Sequence, residues 1–172
     1  MQNGSLTRKL VLSGVFAALI CAVTALVRIP VPIPGIGAYI NAGDAVIYAS
    51  AVVIGGPWAA AAAGIGSMLA DLIVGAGIYA PATLVIKALM GFVVGIAFAK
   101  KLKFLPYVGL MIVASLIMVA GYGAYEFFIA RNVWLADIPF NLIQAGGGVL
   151  LGVLLALLLR RVFPAHWLSE RN

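Results

Sequence analysis

The stretch that decides the fold is GIGSMLADLIVGAGIYAPATLVIKALMGFVVG, residues 64–95. Two apolar runs flank a turn rich in glycine and proline, Gly75–Pro81, and this pattern predicts two antiparallel helices. Each helix carries one charge, Asp71 before the turn and Lys87 after it. Both lie eight positions from Tyr79, so the helical rise places them at a shared depth of roughly 6–12 Å below the turn. Because an isolated charge in hydrocarbon is costly, both side chains should face a protein interior, as a structural ion pair or as part of a ligand site.

The composition excludes an ordinary soluble fold. Of the 172 residues, 65% are hydrophobic and 9% are charged, and the mean hydropathy is +1.17, whereas soluble domains carry about 25% charged residues. The chain is therefore predicted to be an integral membrane protein, with residues 1–172 forming a single domain. One cysteine and one histidine give no basis for a disulfide, a metal site or a cofactor. Nucleic-acid binding is not indicated, since basic and aromatic residues are not interleaved.

Six apolar segments predict an all-α bundle of six transmembrane helices. Their approximate bounds are 10–27, 42–54, 58–74, 82–99, 107–129 and 139–159. A perpendicular crossing needs about 20 residues, so the second segment is expected to be tilted, interrupted or only partly spanning.

The distribution of basic residues predicts the orientation. Eight of them fall on one side of the predicted membrane, namely Arg8, Lys9, Lys100, Lys101, Lys103, Arg160, Arg161 and Arg171. Only Arg28 and Arg131 fall on the other side. By the positive-inside rule both termini are cytoplasmic, and four of the five acidic residues then lie at or near the outer side.

Polar side chains recur at one depth near the outer helix ends. Glu126 and Asn141 are equally far from the middle of their connection, and Gln144 shares a helical face with Asn141. Asp44 begins the second helix, and Tyr125 and Trp134 offer further flat surfaces. The predicted substrate-binding set is Tyr39, Asn41, Asp71, Tyr79, Thr83, Lys87, Tyr122, Glu126, Asn141 and Gln144. Such a mixture suits a neutral or weakly charged heteroaromatic molecule, because rings stack on aromatics while a few polar groups fix the orientation.

Two further segments have patterns with more than one interpretation. RIPVPIPGIG, residues 28–37, alternates prolines and ends in glycines, which predicts a stiff extended stretch and a hinge, as a plain connector or as a lid over the pocket. On the first helix Gly14, Ala18 and Ala22 are four residues apart. Small residues at this spacing allow close helix packing, either within this chain or with another protein. The small residues Gly64 and Gly66 predict tight internal packing of the third helix.

Several motifs together resemble the substrate-binding S component of energy-coupling factor (ECF) transporters, in the riboflavin-type branch. They are YINAGDA at 39–45, GGPW at 55–58, GIGSMLADL at 64–72, APATLVIKALMG at 80–91 and IPFNLIQ at 138–144. The resemblance covers nearly the whole chain. It implies a six-helix, multi-pass protein of a prokaryotic plasma membrane that captures a vitamin or precursor from outside. It also implies ATP-driven uptake with a transmembrane T component and two cytoplasmic ATPases.

The resemblance also implies roles for particular residues. Gly14, Ala18 and Ala22 match the family's contact surface for the T component, and residues 28–39 match its gating loop. Family substrate contacts match Lys87, Tyr122, Glu126, Asn141 and Gln144. The substrate stays open between riboflavin and a pyridoxine-type or hydroxymethylpyrimidine-type compound.

Two other function classes stay open. One is an intramembrane enzyme that uses the Asp71 and Lys87 pair as acid and base, and the other is a structural or lipid-binding membrane subunit. The sequence contains no G-x-S-x-G, H-E-x-x-H or phosphate-loop motif, so we expect no enzymatic activity. A purely structural role would not explain an outer pocket that contains charges of both signs.

Overall fold

A computed structural model describes residues 2–32, 38–99, 103–131 and 134–162. These residues form six α-helices and two short strands: α1 (Gln2–Leu26), β1 (Arg28–Pro30), β2 (Tyr39–Asn41), α2 (Gly43–Ile54), α3 (Gly56–Ile73), α4 (Ala80–Ala99), α5 (Phe104–Ile129) and α6 (Trp134–Val162). Lys100, Lys101, Arg171 and the two glycines predicted as a hinge, Gly35 and Gly37, lie outside the described residues.

The short helix α2 forms the centre of the bundle. It packs against α1, α3, α4 and α6, and α3 in turn packs against α1 and α4, while α5 packs against α4 and α6. All twelve residues of α2 are buried, and its Ile47 forms one core cluster with the fully buried Ile20 of α1 and Met90 of α4. A helix of this length spans roughly 18 Å, less than the hydrocarbon layer. The prediction of a short second segment is therefore confirmed, and its neighbours rather than lipid surround it.

Within the described residues, three helices are long and apolar enough to cross a membrane. They cover Leu6–Leu26, Phe104–Ile129 and Trp134–Leu159, and Gly43–Ile54 and Ala80–Ile96 are shorter apolar helices. Many of the large apolar side chains on the long helices are exposed at the surface of the bundle, among them Leu10, Leu116 and Leu150. An apolar outer surface of this kind suits a lipid environment.

Five of the helices begin two to eight residues before the predicted apolar segments, and the starts of α4 and α6 bear on the cavity described below. The turn after α3 ends at Tyr79, and α4 begins at Ala80, so Pro81 lies in the first helical turn, where its missing N–H leaves no intrahelical bond unmade. Helix α6 begins at Trp134, five residues before the predicted start at Pro139. Proline was taken as a boundary signal, but the helix continues through it. Asp137 consequently lies in the first helical turn, where a carboxylate interacts favourably with the helix dipole.

The segment between α1 and α2 contains a two-stranded antiparallel ribbon that was not predicted. Arg28 is paired with Asn41, and Pro30 is paired with Tyr39. Both strands of a two-stranded ribbon are edge strands, so the missing N–H of a proline is tolerated there. Strand β1 is exposed, and β2 is half-buried against the helix ends. We call this ribbon the hairpin, and the end of the bundle that it covers the hairpin end.

Close contacts between helices depend on glycine at a few positions. Gly55, between α2 and α3, has φ 78° and ψ 177°, a conformation open almost only to glycine. A Cβ atom on Gly64 would lie 2.6 Å from the carbonyl oxygen of Leu84, and one on Gly66 would clash with the backbone of Ala17. The predicted tight packing of α3 is confirmed, against α4 on one side and α1 on the other.

Candidate functional site: a polar cavity at the hairpin end

A cavity at the hairpin end lies between the hairpin and five of the helices. The space between its lining atoms, including the open solvent at its mouth, is about 430 Å³. The described residues that line it are Thr24, Ala38, Tyr39, Asn41, Ser67, Asp71, Tyr79, Thr83, Lys87, Tyr122, Glu126, Asp137, Asn141 and Gln144. All ten residues of the predicted substrate-binding set are therefore brought together around one space.

The base of the cavity contains a buried ion pair. Lys87 Nζ lies 2.5 Å from Asp44 Oδ1, and the two side chains are 3% and 1% exposed. The ammonium also contacts Met118 Sδ at 3.2 Å and lies 5.6 Å from the centre of the Tyr122 ring. Helix packing brings α2 and α4 together at this point, and the pair joins them. A buried ion pair is tolerated when its charges make further hydrogen bonds. Here Asp44 bonds to both Lys87 and Gln144.

Asp71 and Lys87 share one polar site, which was one of the two predicted alternatives, but they do not form the ion pair that was the other. Equal depth on two neighbouring helices suggested such a pair, whereas Asp44 at the start of the central helix is the ion partner of Lys87. Asp71 shares the cavity with Lys87 and accepts a hydrogen bond from the Tyr39 hydroxyl instead. The reason is geometric, since helical rise fixes the depth of a side chain but not the direction in which it points.

Gln144 connects the ion pair to the hairpin. Its Nε2 donates to Asp44 Oδ2 at 2.9 Å, and its Oε1 accepts from the backbone N–H and the side-chain amide of Asn41, at 2.9 and 3.2 Å. Both ends of this amide are thus occupied within the protein. Gln144 holds β2 against α6 and orients Asp44, so its part in the site is to position other groups.

A second bond holds the other side of the hairpin. The Tyr39 hydroxyl donates to Asp71 on α3, and the guanidinium of Arg28 lies 5.8 Å from the centre of the Tyr39 ring. Burial, together with the hydrogen bond to Asp71 and its negative charge, raises the pKa of Tyr39. The phenol therefore keeps its proton and remains a donor. The hairpin is therefore attached over the cavity at two points. Tyr39 bonds to Asp71 of α3, and Asn41 bonds to Gln144 of α6.

Aromatic side chains form one wall of the cavity. Tyr79 and Tyr122 pack edge to face with ring centres 6.2 Å apart. The Tyr79 hydroxyl donates to Glu126 Oε1 at 2.9 Å, and the Tyr122 hydroxyl lies 2.9 Å from Thr83 Oγ1. These bonds fix both rings, and aromatic surfaces held in this way are suited to contact a planar ligand.

Asp137 and Asn141 complete the cavity on α6. They are four residues apart on one face of the helix, and Asn141 Nδ2 donates to Asp137 Oδ2 at 2.6 Å. Asp137 was missed as a lining residue, because starting the helix at Pro139 placed it in a loop. A helix begun at Trp134 would have revealed it through this four-residue spacing.

Other lining residues were missed or wrongly expected. Thr24, Ala38 and Ser67 line the cavity without having been predicted, although Ser67 lies four residues before Asp71 and so shares its helical face. Trp134, expected as a flat surface of the pocket, instead packs against Phe127 and lines a separate apolar cleft. Tyr125 is also absent from the described lining, and it packs behind Tyr79 with ring centres 6.0 Å apart.

The small residues of α1 point in two directions. Gly14, Ala18 and Ala22 are exposed on the outer surface of the bundle, and a Cβ atom on Gly14 would meet nothing within 4 Å. Ala17 faces inward, where α3 approaches closely at Gly66. Of the two interpretations, internal packing applies to Ala17, whereas the strip of Gly14, Ala18 and Ala22 is exposed.

Comparison with known proteins identifies the family. Residues 5–161 match the family model described as the ECF-type riboflavin transporter, S component. The chain belongs to this S-component family. It is also similar to a Pyrococcus woesei protein described as an uncharacterised protein in the gap 3′ region, with 34% identity over 140 residues, 80% of this chain and 92% of that protein.

Family membership settles the broad function class. S components are subunits of membrane transporters and not enzymes, and they work with a T component, ATPases and a vitamin substrate. The apolar helices of this S component agree with a place in a membrane. The resemblance stated from the sequence motifs is confirmed.

Proposed function

We propose that this chain is the substrate-binding subunit of an ECF-type transporter and captures a small heteroaromatic vitamin or precursor in the hairpin-end cavity. The candidate substrates are riboflavin and pyridoxine-type or hydroxymethylpyrimidine-type compounds. The observation that carries the proposal is the convergence of the ten predicted residues on one cavity with a polar floor and an aromatic wall. A membrane subunit that only filled space would bury apolar side chains there, since buried polar groups are costly.

The hairpin supports a gated site in this proposal. Its two attachments, Tyr39 to Asp71 and Asn41 to Gln144, both involve residues that line the cavity. Breaking the three hydrogen bonds of these attachments costs on the order of 2.5–6 kcal/mol, at about 0.5–1.5 for each neutral bond and about 1.5–3 for the bond to the carboxylate. A ligand can therefore enter when the hairpin lifts, and the closed hairpin separates it from water.

We place the hairpin end on the outer side of a prokaryotic plasma membrane, with six crossings by one domain of residues 1–172 and both termini in the cytoplasm. The excess of basic residues at the opposite end supports this orientation. The exposed strip of Gly14, Ala18 and Ala22 is the proposed contact with the T component, because small side chains allow another helix to approach closely. Two cytoplasmic ATPases then supply the energy for uptake.

Mass spectrometry of the detergent-purified protein tests the proposal. We expect one small heteroaromatic molecule per chain, released by denaturation, and quenching of intrinsic fluorescence when riboflavin, pyridoxine or hydroxymethylpyrimidine is added to ligand-free protein. Ser115→Ala is a suitable control, because Ser115 bonds to Tyr48 in the core and does not line the cavity. Recovery of lipid alone, with no response to any of the three compounds, would contradict the proposal and favour the structural alternative.

A further inference from the structure

The charges around the cavity do not balance. Lys87 is the one basic side chain among the described lining residues, and Asp44 beneath it already neutralises it. Three carboxylates, those of Asp71, Glu126 and Asp137, line the same space without a basic partner of their own there. When all three are ionised, the cavity has a charge of −3, since Lys87 and Asp44 cancel.

Each of the three carboxylates leaves one oxygen unused. Asp71 Oδ2, Glu126 Oε2 and Asp137 Oδ1 are buried and make no hydrogen bond to the described protein. The side chains are themselves almost fully buried, with exposures of 4%, 1% and 4%. Their other oxygens accept from Tyr39, Tyr79 and Asn141. Carboxylate oxygens only accept hydrogen bonds, and leaving such groups buried without a donor is costly.

One internal arrangement reduces this imbalance without removing it. The carboxyl groups of Glu126 and Asp137 are close enough to share a proton, which would satisfy one oxygen of each and change the charge from −3 to −2. Asp71, on a different helix, keeps its unused oxygen, although the Thr83 side chain lies near this carboxyl group. The cavity therefore still presents an unused carboxyl oxygen to whatever enters it.

On the basis of the proposed function, we infer that this cavity selects a heteroaromatic ligand bearing an amino group or a protonated ring nitrogen, whose N–H donors bind Asp71, Glu126 and Asp137. This revises the expectation of a neutral or weakly charged ligand, which assumed that Lys87 would balance the carboxylates. The aromatic wall of Tyr79 and Tyr122 contacts the ring of such a ligand, and a cation over these rings gains further attraction.

A matched pair of ligands tests the inference. Pyridoxamine and pyridoxine differ in one substituent, an aminomethyl group that is charged at neutral pH in place of a hydroxymethyl group. Calorimetric titration of the purified full-length protein should give at least about tenfold tighter binding for pyridoxamine, as expected for a charge-assisted bond in a buried site. Riboflavin, which lacks a basic amino group, is the third ligand.

Isosteric variants connect the preference to the carboxylates. Glu126→Gln and Asp137→Asn in one chain, and Asp71→Asn in another, should each reduce the ratio of the two affinities at least about threefold, because the amide keeps the shape but loses the charge. Ser115→Ala should leave both affinities unchanged, since it removes a core hydrogen bond outside the cavity. A ratio that persists in the carboxylate variants would overturn the inference even if pyridoxamine binds better.

The possible failures are distinguishable. If pyridoxine or riboflavin binds as tightly as pyridoxamine or more tightly, the inference about charge is overturned while the proposed vitamin-binding function stands. If none of these three compounds binds to the wild-type protein and hydroxymethylpyrimidine does not bind either, the proposed function is overturned, and the inference is overturned with it.

Discussion

Replacing Lys87 by methionine tests the ion pair at the base of the cavity. The change removes a cation 2.5 Å from Asp44 Oδ1 and leaves a carboxylate that is 1% exposed. Two unit charges at this distance attract by roughly 6–7 kcal/mol at an effective dielectric constant near 20. Part of this loss is recovered, because Gln144 still donates to Asp44 Oδ2. We expect Lys87→Met to lower the free energy of unfolding by about 3–5 kcal/mol, the usual loss when one partner of a buried pair is removed.

Two double-mutant cycles determine which acid is the partner. Adding Asp44→Asn to Lys87→Met removes both charges, so the double variant should be at least about 2 kcal/mol more stable than the sum of the single losses predicts. The control cycle combines Lys87→Met with Asp71→Asn and should show a coupling below about 1 kcal/mol. Unfolding in mixed micelles with increasing sodium dodecyl sulfate, followed by circular dichroism, measures both. A coupling to Asp71 as large as that to Asp44 would refute the described pairing.

Three further predictions concern the hairpin, the strip and the packing of α3. Tyr39→Phe removes the bond to Asp71 and should raise the dissociation rate of the bound ligand by about tenfold in stopped-flow fluorescence; Tyr125→Phe, outside the described lining, should not. Leucine at both Ala18 and Ala22 should abolish vitamin uptake by cells and leave binding to the purified protein intact, whereas loss of both would identify internal packing. Gly66→Leu should lower the free energy of unfolding by at least about 1–3 kcal/mol, since the close approach to α1 leaves no room for a side chain; unchanged unfolding would contradict the described contact.

The location of the site was predictable, because the distance of a residue from the end of its helix follows from counting residues along the sequence. Counting residues from Tyr79 put Asp71 and Lys87 at one level, and counting from the next connection did the same for Glu126 and Asn141. Antiparallel helices that begin at the same membrane face must bring such residues to one plane. That constraint accounts for the predicted lining residues that lie on helices, whereas Tyr39 and Asn41 reach the cavity from β2.

The partners within the site were not predictable in the same way. Which acid Lys87 meets depends on how α2 and α4 are rotated and packed, and the spacing of residues along one helix contains no such information. Asp137 was missed for a different reason, since Pro139 was treated as the start of α6 although the helix tolerates it. The hairpin was missed because its strands, Arg28–Pro30 and Tyr39–Asn41, are too short to show alternation.

Calorimetric titration of a cavity-filling variant tests the central claim most directly. Ala38 lines the cavity from the hairpin, where a larger side chain disturbs the helix core least, and Ala136 is an exposed alanine on α6 outside the described lining. For whichever of riboflavin, pyridoxine or hydroxymethylpyrimidine binds the wild-type protein, we predict one site per chain, retained in Ala136→Trp and lost in Ala38→Trp. Binding to Ala38→Trp with the affinity of the wild-type protein would contradict the claim that the ligand occupies the hairpin-end cavity.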